Sequence, residues 1–145
     1  MARGVLEAFI ETVAEKIPRA QTHKLRDNNA IQADVGQSQG RLAAAHAFLK
    51  QEITEIWEAV YTSGTLSIDQ RMRIRLSSTY AIHEAKTVVD TLYDHAGATA
   101  IFSSSPFESR FRDIHTISQQ IQGRQAHFQT VGSFLLGNEP DLRLV

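Results

Sequence analysis

The sequence predicts an all-α fold, an antiparallel four-helix bundle with short additional helices. Three observations predict it. Long segments repeat apolar residues at three- and four-residue spacing, the period of a helix face. The 3 Pro and 8 Gly fall mostly between those segments, as punctuation. No stretch reads convincingly as a strand, and no internal repeat is present. A chain of 145 residues with 42% hydrophobic content suffices for one core, so a single domain is expected over 1–145.

The first helix is expected over 2–17, with Val5, Leu6, Phe9, Ile10, Val13 and Ile17 on one face. Pro18 stops it, because proline lacks an N–H and clashes with the preceding turn. Residues 18–28 read as a polar connection. The second helix is expected over 29–62, striped by Ile31, Val35, Leu42, Ala45, Leu49, Ile53, Ile56 and Val60. Gly36 and Gly40 lie inside it and suggest close helix–helix approach, since each costs about 1 kcal/mol relative to Ala. Ser63-Gly64 breaks the chain. Ser67 and Gln70 then form a capping box for a third helix over 68–96. Its stripe is Ile68, Met72, Leu76, Thr79, Ile82, Ala85, Val89 and Leu92. Gly97 is the expected left-handed cap. Ser105-Pro106-Phe107-Glu108 reads as a second capping box, with proline at the first helical position of a short helix to Ile117. A last helix covers 126–136, ended by Gly137 and Pro140.

Composition excludes several function classes. Lys+Arg is 15 and Asp+Glu is 16, a net charge of -1, which argues against a general nucleic-acid or membrane-surface binder. With no cysteine, disulfides, thiolate nucleophiles and iron–sulfur ligation are excluded. The start has no apolar run of a secretory signal, and no segment reaches the ~18 apolar residues of a membrane span. A cytoplasmic protein is expected.

A bundle invites the test for a carboxylate–histidine metal site, which needs Glu-x-x-His pairs. None of the 6 histidines has a glutamate three residues before it, so no metal is expected. Glu52, Glu55 and Glu58 then read as a solvated row. No phosphate-binding glycine loop or nucleophile elbow is present. Arg71 and Arg75 share a helix face, with Arg73 opposite, and read as solvated arginines before a phosphate site.

The informative stretch is 93–122. It holds Gly97, then Pro106, Glu108, Arg112 and Asp113 at the spacing Pro-x-Glu-x-x-x-Arg-Asp, then His115, Gln119 and Gln120. This resembles the C-terminal helical domain of the acyl-CoA dehydrogenase superfamily, and more closely its flavin-dependent monooxygenase branch. The closing Leu135-Leu136-Gly137-Asn138-Glu139-Pro140 is similar to that branch too. The resemblance covers nearly this whole chain but only the last third of a complete member. The N-terminal helical and middle β-domains are absent from these residues.

The resemblance implies a homo-oligomer, a tetramer in the family, whose core this domain forms. It implies FAD or reduced flavin, with Gln32, Gly97, Arg112, Asp113, Gln119 and Gln120 as cofactor-binding residues and His115 as the catalytic one. It also implies that this chain alone retains no flavin, the other walls belonging to domains supplied in trans or by a longer chain. The family arginine that reaches a neighbouring subunit's FAD would fall near Thr22 and is missing. Dehydrogenases of the family carry a glutamate base after the Arg-Asp pair. Here residues 115–122 offer only amide, hydroxyl and imidazole groups, no acidic residue follows before Glu139, and an amide cannot take a proton. Oxygen chemistry is therefore expected over acyl-CoA dehydrogenation. One by one, these residues also read as ordinary helix chemistry: Arg112–Asp113 as a surface pair, Gly97 as a cap, His115 as a helix histidine. The alternative function is a stand-alone, non-catalytic helical association module.

Overall fold

The computed structural model describes residues 1–18 and 22–140. Its α-helices there are α1 (Ala2–Glu15), α2 (Asn29–Ser63), α3 (Ile68–Ala96), α4 (Glu108–Ser118) and α5 (Ala126–Leu135), with 3₁₀ turns at Leu25–Asp27, Gly97–Ile101 and Ile121–Gly123. No strand occurs among the described residues, so the all-α expectation holds. No helix among them is long and apolar enough to cross a membrane. Two units divide the chain, the first Met1–Ala43 with Glu84–Thr116, the second Ala44–His83 with the described part of Ile117–Val145.

In the first unit, α1 buries Val5, Leu6, Phe9 and Val13. They pack with Val88, Val89 and Leu92 of α3, Phe107, and Ile114 of α4. Phe9 is fully buried and meets Phe107 edge-on, ring centroids 6.4 Å apart. The helix ends two residues before its expected limit. Pro18 forces Ile17 away from helical geometry, and Lys16 is already extended (φ -72, ψ 124). Ile10 and Ile17, expected on the buried face, are 48% and 54% exposed. Lys16 Nζ donates to the Ala96 carbonyl at 2.5 Å and to Thr99 Oγ1 at 2.8 Å. That places a cation on the carbonyl end of α3, where the helix dipole favours it.

Asn28 starts α2, its Oδ1 accepting from the backbone N–H of Ala30 at 2.9 Å and of Ile31 at 3.4 Å. Within this unit α2 and α3 run antiparallel, since Asp34 meets His95 and Arg41 meets Glu84. Gly36 and Gly40 do not mark a close approach. A Cβ on either would meet nothing within 4 Å, and both are exposed.

In the second unit the same two helices meet at Phe48–Tyr80 and at Glu52–Arg73. The capping box of α3 forms as expected. Ser67 N–H donates to Gln70 Oε1 at 2.9 Å, and Gln70 N–H to Ser67 Oγ at 3.2 Å. Three side chains hold the 3₁₀ turn before α5 by successive carbonyls. His127 Nε2 bonds Ile121 O at 2.5 Å, Thr79 Oγ1 bonds Gln122 O at 3.3 Å, and His83 Nε2 bonds Gly123 O at 2.9 Å. Carbonyls only accept, so Nε2 carries the proton in both histidines. The 3.3 Å approach of Arg75 Nη1 to His127 Nε2 is then a packing contact and not a hydrogen bond. α5 ends in a Schellman turn, with Asn138 N–H on Ser133 O and Gly137 N–H on Phe134 O.

The glutamate row is not uniformly solvated. Glu52 is 4% exposed, and its carboxylate lies against Arg73 Nη2, 3.1 Å from Oε1 and 2.9 Å from Oε2. Only the Oε1 contact has hydrogen-bond geometry, which leaves Oε2 with a charge contact alone. Arg73 also bonds Glu55. A buried carboxylate needs such a partner, because desolvating an unpaired charge costs several kcal/mol, order of magnitude. Hydrogen bonds from Gln51 and then Arg73 hold the Glu55 carboxyl below the ordinary 4.5.

Candidate functional site

The segment expected to carry the chemistry begins where α3 stops. Gly97 takes φ +66, the left-handed conformation that a Cβ disfavours, and turns the chain into the 3₁₀ turn Gly97–Ile101. Its role as cap is as predicted. The second capping box is not. Ser105 Oγ accepts from Phe107 N–H at 3.3 Å, two residues on, and Glu108 opens α4. The first helical hydrogen bond runs from Phe111 N–H to Phe107 O at 2.9 Å, so the helix starts two residues after Ser105 and the serine holds a local turn in place of a helix cap. Glu108 pairs instead with Arg112 one turn on, at 3.3 Å.

Arg112 and Asp113 are exposed on α4, while His115 is half-buried. His115 Nε2 lies 2.8 Å from Asp90 Oδ1. The other oxygen of Asp90 takes Lys86 Nζ at 2.5 Å, one turn back on α3. Phe111 lies against the imidazole with centroids 4.4 Å apart, and Tyr93 stacks on Phe111 at 4.1 Å. The ring is thus held by one carboxylate and packed by one tilted aromatic ring. A carboxylate partner at Nε2 puts the proton there in the neutral ring and leaves Nδ1 as the acceptor nitrogen. This is the geometry of a positioned base or hydrogen-bond acceptor.

Gln32 stands apart from that group. Its amide donates to the Arg26 carbonyl at 2.8 Å. With Ile10, Val13, Arg26, Ile31 and Val35 it lines a mostly apolar cavity of about 230 Å³. Gln119 and Gln120 belong to the second unit and are exposed just after α4, Gln120 N–H closing a turn onto Ile117 O at 3.1 Å. Asp90, Lys86 and Phe111 were not foreseen. The spacing of Lys86 and Asp90 shows an i,i+4 ion pair, but nothing in the sequence joins Asp90 to His115, 25 residues away. Among the described residues no group of three His, Asp or Glu side chains is placed to hold a metal.

Residues 1–124 match the family model for the acyl-CoA dehydrogenase C-terminal domain. The chain belongs to that family. An acyl-CoA dehydrogenase C-terminal domain of this length has similar curated relatives among oxygenases. The indole-3-acetate monooxygenase of Acinetobacter baumannii is 22% identical over 140 residues, 97% of this chain and 36% of that protein. The oxygenase subunit HsaA of a flavin-dependent monooxygenase from Rhodococcus jostii is 22% identical over 116 residues, 79% of this chain and 30% of that protein. Solved structures agree on the fold. XiaF from Streptomyces, in complex with FADH2 and glycerol, superposes with TM-score 0.87 at 19% identity, over 97% of this chain and 36% of that one. A 3-HSA hydroxylase from Rhodococcus does so with TM-score 0.83 at 20% identity, over 99% and 36%. The domain therefore spans about a third of the relatives it matches.

Proposed function

We propose that this chain supplies the helical C-terminal wall of a flavin-dependent oxygenase, and that copies of it associate to form the oligomer core. The observation that supports this best is its match to about one third of two monooxygenases, over 97% of this chain for one and over 79% for the other, the second of which is named as flavin-dependent. The donor set suits part of a flavin. Arg112 offers a guanidinium to a phosphate or carbonyl oxygen, Gln119 and Gln120 offer amides, and Asp113 accepts from a hydroxyl. Gln32 faces an apolar cavity of about 230 Å³. That is below the roughly 300–1,000 Å³ of sites that enclose a drug-sized ligand. Arg112 and Asp113, neighbours on α4, fit part of one wall of a flavin site, and the remaining enclosure comes from other groups. Bound reduced flavin would supply the electrons for activating oxygen. This chain's part is to hold the cofactor through α4 and to present His115, fixed by Asp90, as an acceptor for a substrate or cofactor proton. Net charge -1 and the absence of cysteine suit a cytoplasmic location.

Association is supported by α2. Ile53, Trp57, Val60 and Tyr61 lie on one helical face and are 50%, 74%, 42% and 88% exposed. An aromatic side chain carries on the order of 200 Å², so the two aromatics alone supply a large part of the roughly 800 Å² per partner of a stable interface. The occupant proposed is the same face of a second copy. That face also sustains the second reading, a helical association module without chemistry.

The test is a fusion of this chain behind the N-terminal helical and middle β-domains of a relative. Oxygen uptake with reduced flavin, above the rate of free flavin, is expected. Reduction of an electron acceptor that depends on acyl-CoA is not. Robust acyl-CoA turnover lost in His115→Ala would overturn the oxygenase reading and make His115 a dehydrogenase base. A fusion that associates but neither binds flavin nor consumes oxygen would favour the association module.

A further inference from the structure

The outer face of α2 in the second unit carries a recess and, two turns further on, a large ring that its own chain leaves in the open. Among the described residues His46, Leu49, Lys50, Ile53 and Thr54 line the recess, of about 230 Å³. His46, Leu49, Lys50 and Ile53 stand at i, i+3, i+4 and i+7. Those are the four corners of the hole that receives one knob from a facing helix. Leu49 and Ile53 give it apolar walls, and the Lys50 stem adds apolar surface while its ammonium stays at the rim. Thr54 Oγ1 donates to the Lys50 carbonyl at 2.9 Å, so its hydroxyl is spent on the backbone.

Trp57 is 74% exposed. It follows Lys50 by two turns on the same face, roughly 10 Å along the helix. His46, Lys50, Ile53, Trp57 and Val60 alternate spacings of four and three, the seam by which one helix packs on another. Glu52, Glu55 and Glu58 fall on other faces of α2, and the first two meet Arg73. The seam is therefore asymmetric along its length, with the Lys50 cation in its first half and the indole in its second.

We infer that α2 pairs antiparallel with α2 of a second copy, about a two-fold axis beside Ile53, so that Trp57 of each copy fills the recess of the other. The pairing rests on the association reading above and fixes its direction and register. Two-fold symmetry makes the contact isologous, so one arrangement fills both recesses. A recess of about 230 Å³ has the room of roughly eight waters, which suits the indole of one tryptophan. The Lys50 ammonium then lies over the indole of the other copy, where the negative face of the ring attracts it. Parallel pairing in register would instead set Lys50 against Lys50, like charge on like charge, and recess against recess.

The chain contains no cysteine, so introduced cysteines report contacts without interference. A disulfide needs Cα atoms within about 7 Å. On mild oxidation Ile53→Cys, at the axis, should form a covalent dimer. His46→Cys and Val60→Cys lie on either side of the axis and should each stay uncoupled alone, then couple to one another when mixed. Parallel pairing would couple each to itself. By sedimentation, Lys50→Gln should weaken association about tenfold, the cation–ring contact being lost twice per dimer, and Lys50→Arg should stay within a few-fold of the parent. His46, Lys50, Ile53 and Val60 are all exposed, so helicity should be unchanged in every variant. A parent that sediments as a monomer would overturn the association reading and this pairing with it. An associating parent whose His46→Cys and Val60→Cys variants fail to couple in the mixture, or whose association tightens with Lys50→Gln, would overturn the pairing alone.

Discussion

Asp90 Oδ1 stands 2.8 Å from His115 Nε2 while its other oxygen takes Lys86. The histidine most exposed to a mechanistic role is therefore held by a residue on another helix. Neutral His115 should exist chiefly as the Nε2–H tautomer. Long-range ¹H–¹⁵N correlation spectra at neutral or alkaline pH check this. Asp90→Ala should produce a tautomer mixture and cost about 1.5 kcal/mol, the low end for hydrogen bonds to charged groups. A dominant Nδ1–H form in the parent would contradict the pairing.

Two kinds of glycine should respond oppositely to alanine. A Cβ at Gly123 would meet the backbone oxygens of Ile117 and Ser118 at 3.1 Å and Ser118 Cα at 3.2 Å. None of these is a flexible side-chain end, so Gly123→Ala should destabilise by about 1–3 kcal/mol. Gly36 and Gly40 sit in open space within α2. Replacing either by alanine should stabilise by about 0.5–1 kcal/mol through helix propensity. Urea unfolding of the three variants decides the signs. Destabilisation by Gly36→Ala would mean that something packs on that face.

Acid should weaken the fold partly through Glu55 and Glu15. The Glu55 carboxyl is held below 4.5 by Gln51 and then Arg73, and that of Glu15 below 4.5 by Lys24. A carboxyl lowered in the folded state contributes stability that is present in full above 4.5 and disappears as pH falls through the folded value. Melting temperature should therefore decline below about pH 4.5, with a shallower decline in Glu55→Gln. Identical slopes for parent and variant would remove Glu55 from the account.

The α2 face predicts concentration-dependent association. Trp57, 74% exposed in one copy, should shift its fluorescence to the blue as the chain associates. Trp57→Glu with Tyr61→Glu should shift the sedimentation profile to monomer with helicity unchanged. A parent that stays monomeric at high micromolar concentration would contradict this interface.

Much of the fold was legible because helix periodicity and punctuation are local. Ser67 and Gln70 specify their box within four residues, and Gly97 ends α3 where a left-handed residue is needed. Periodicity names the apolar face of a helix but not what covers it. Val5 and Phe9 are buried, while Ile53 and Val60, in an equally regular stripe, are exposed. Glu52 looked solvated because its partner Arg73 lies on the neighbouring helix, α3, 21 residues on. Of the candidate site, Arg112, Asp113 and His115 were legible as a spaced motif on one short helix. Asp90 was not, since only packing of α4 on α3 brings it to His115. Ser105 misled because the signature at 105–108 sets the helix start at Ser105, while the first helical hydrogen bond is accepted by Phe107, two residues on.

The most direct test of the central claim is anaerobic equilibrium binding of reduced flavin to the domain-restored fusion, its Arg112→Gln and His115→Ala variants, and the 145-residue chain alone. The fusion should bind one flavin per chain, Arg112→Gln should bind at least about tenfold more weakly, and His115→Ala should bind within a few-fold of the parent yet lose oxygen chemistry. The isolated chain should retain none through purification, because one wall encloses too little of the ligand. Stoichiometric flavin on the isolated chain, or a fusion whose affinity ignores Arg112, would contradict the account.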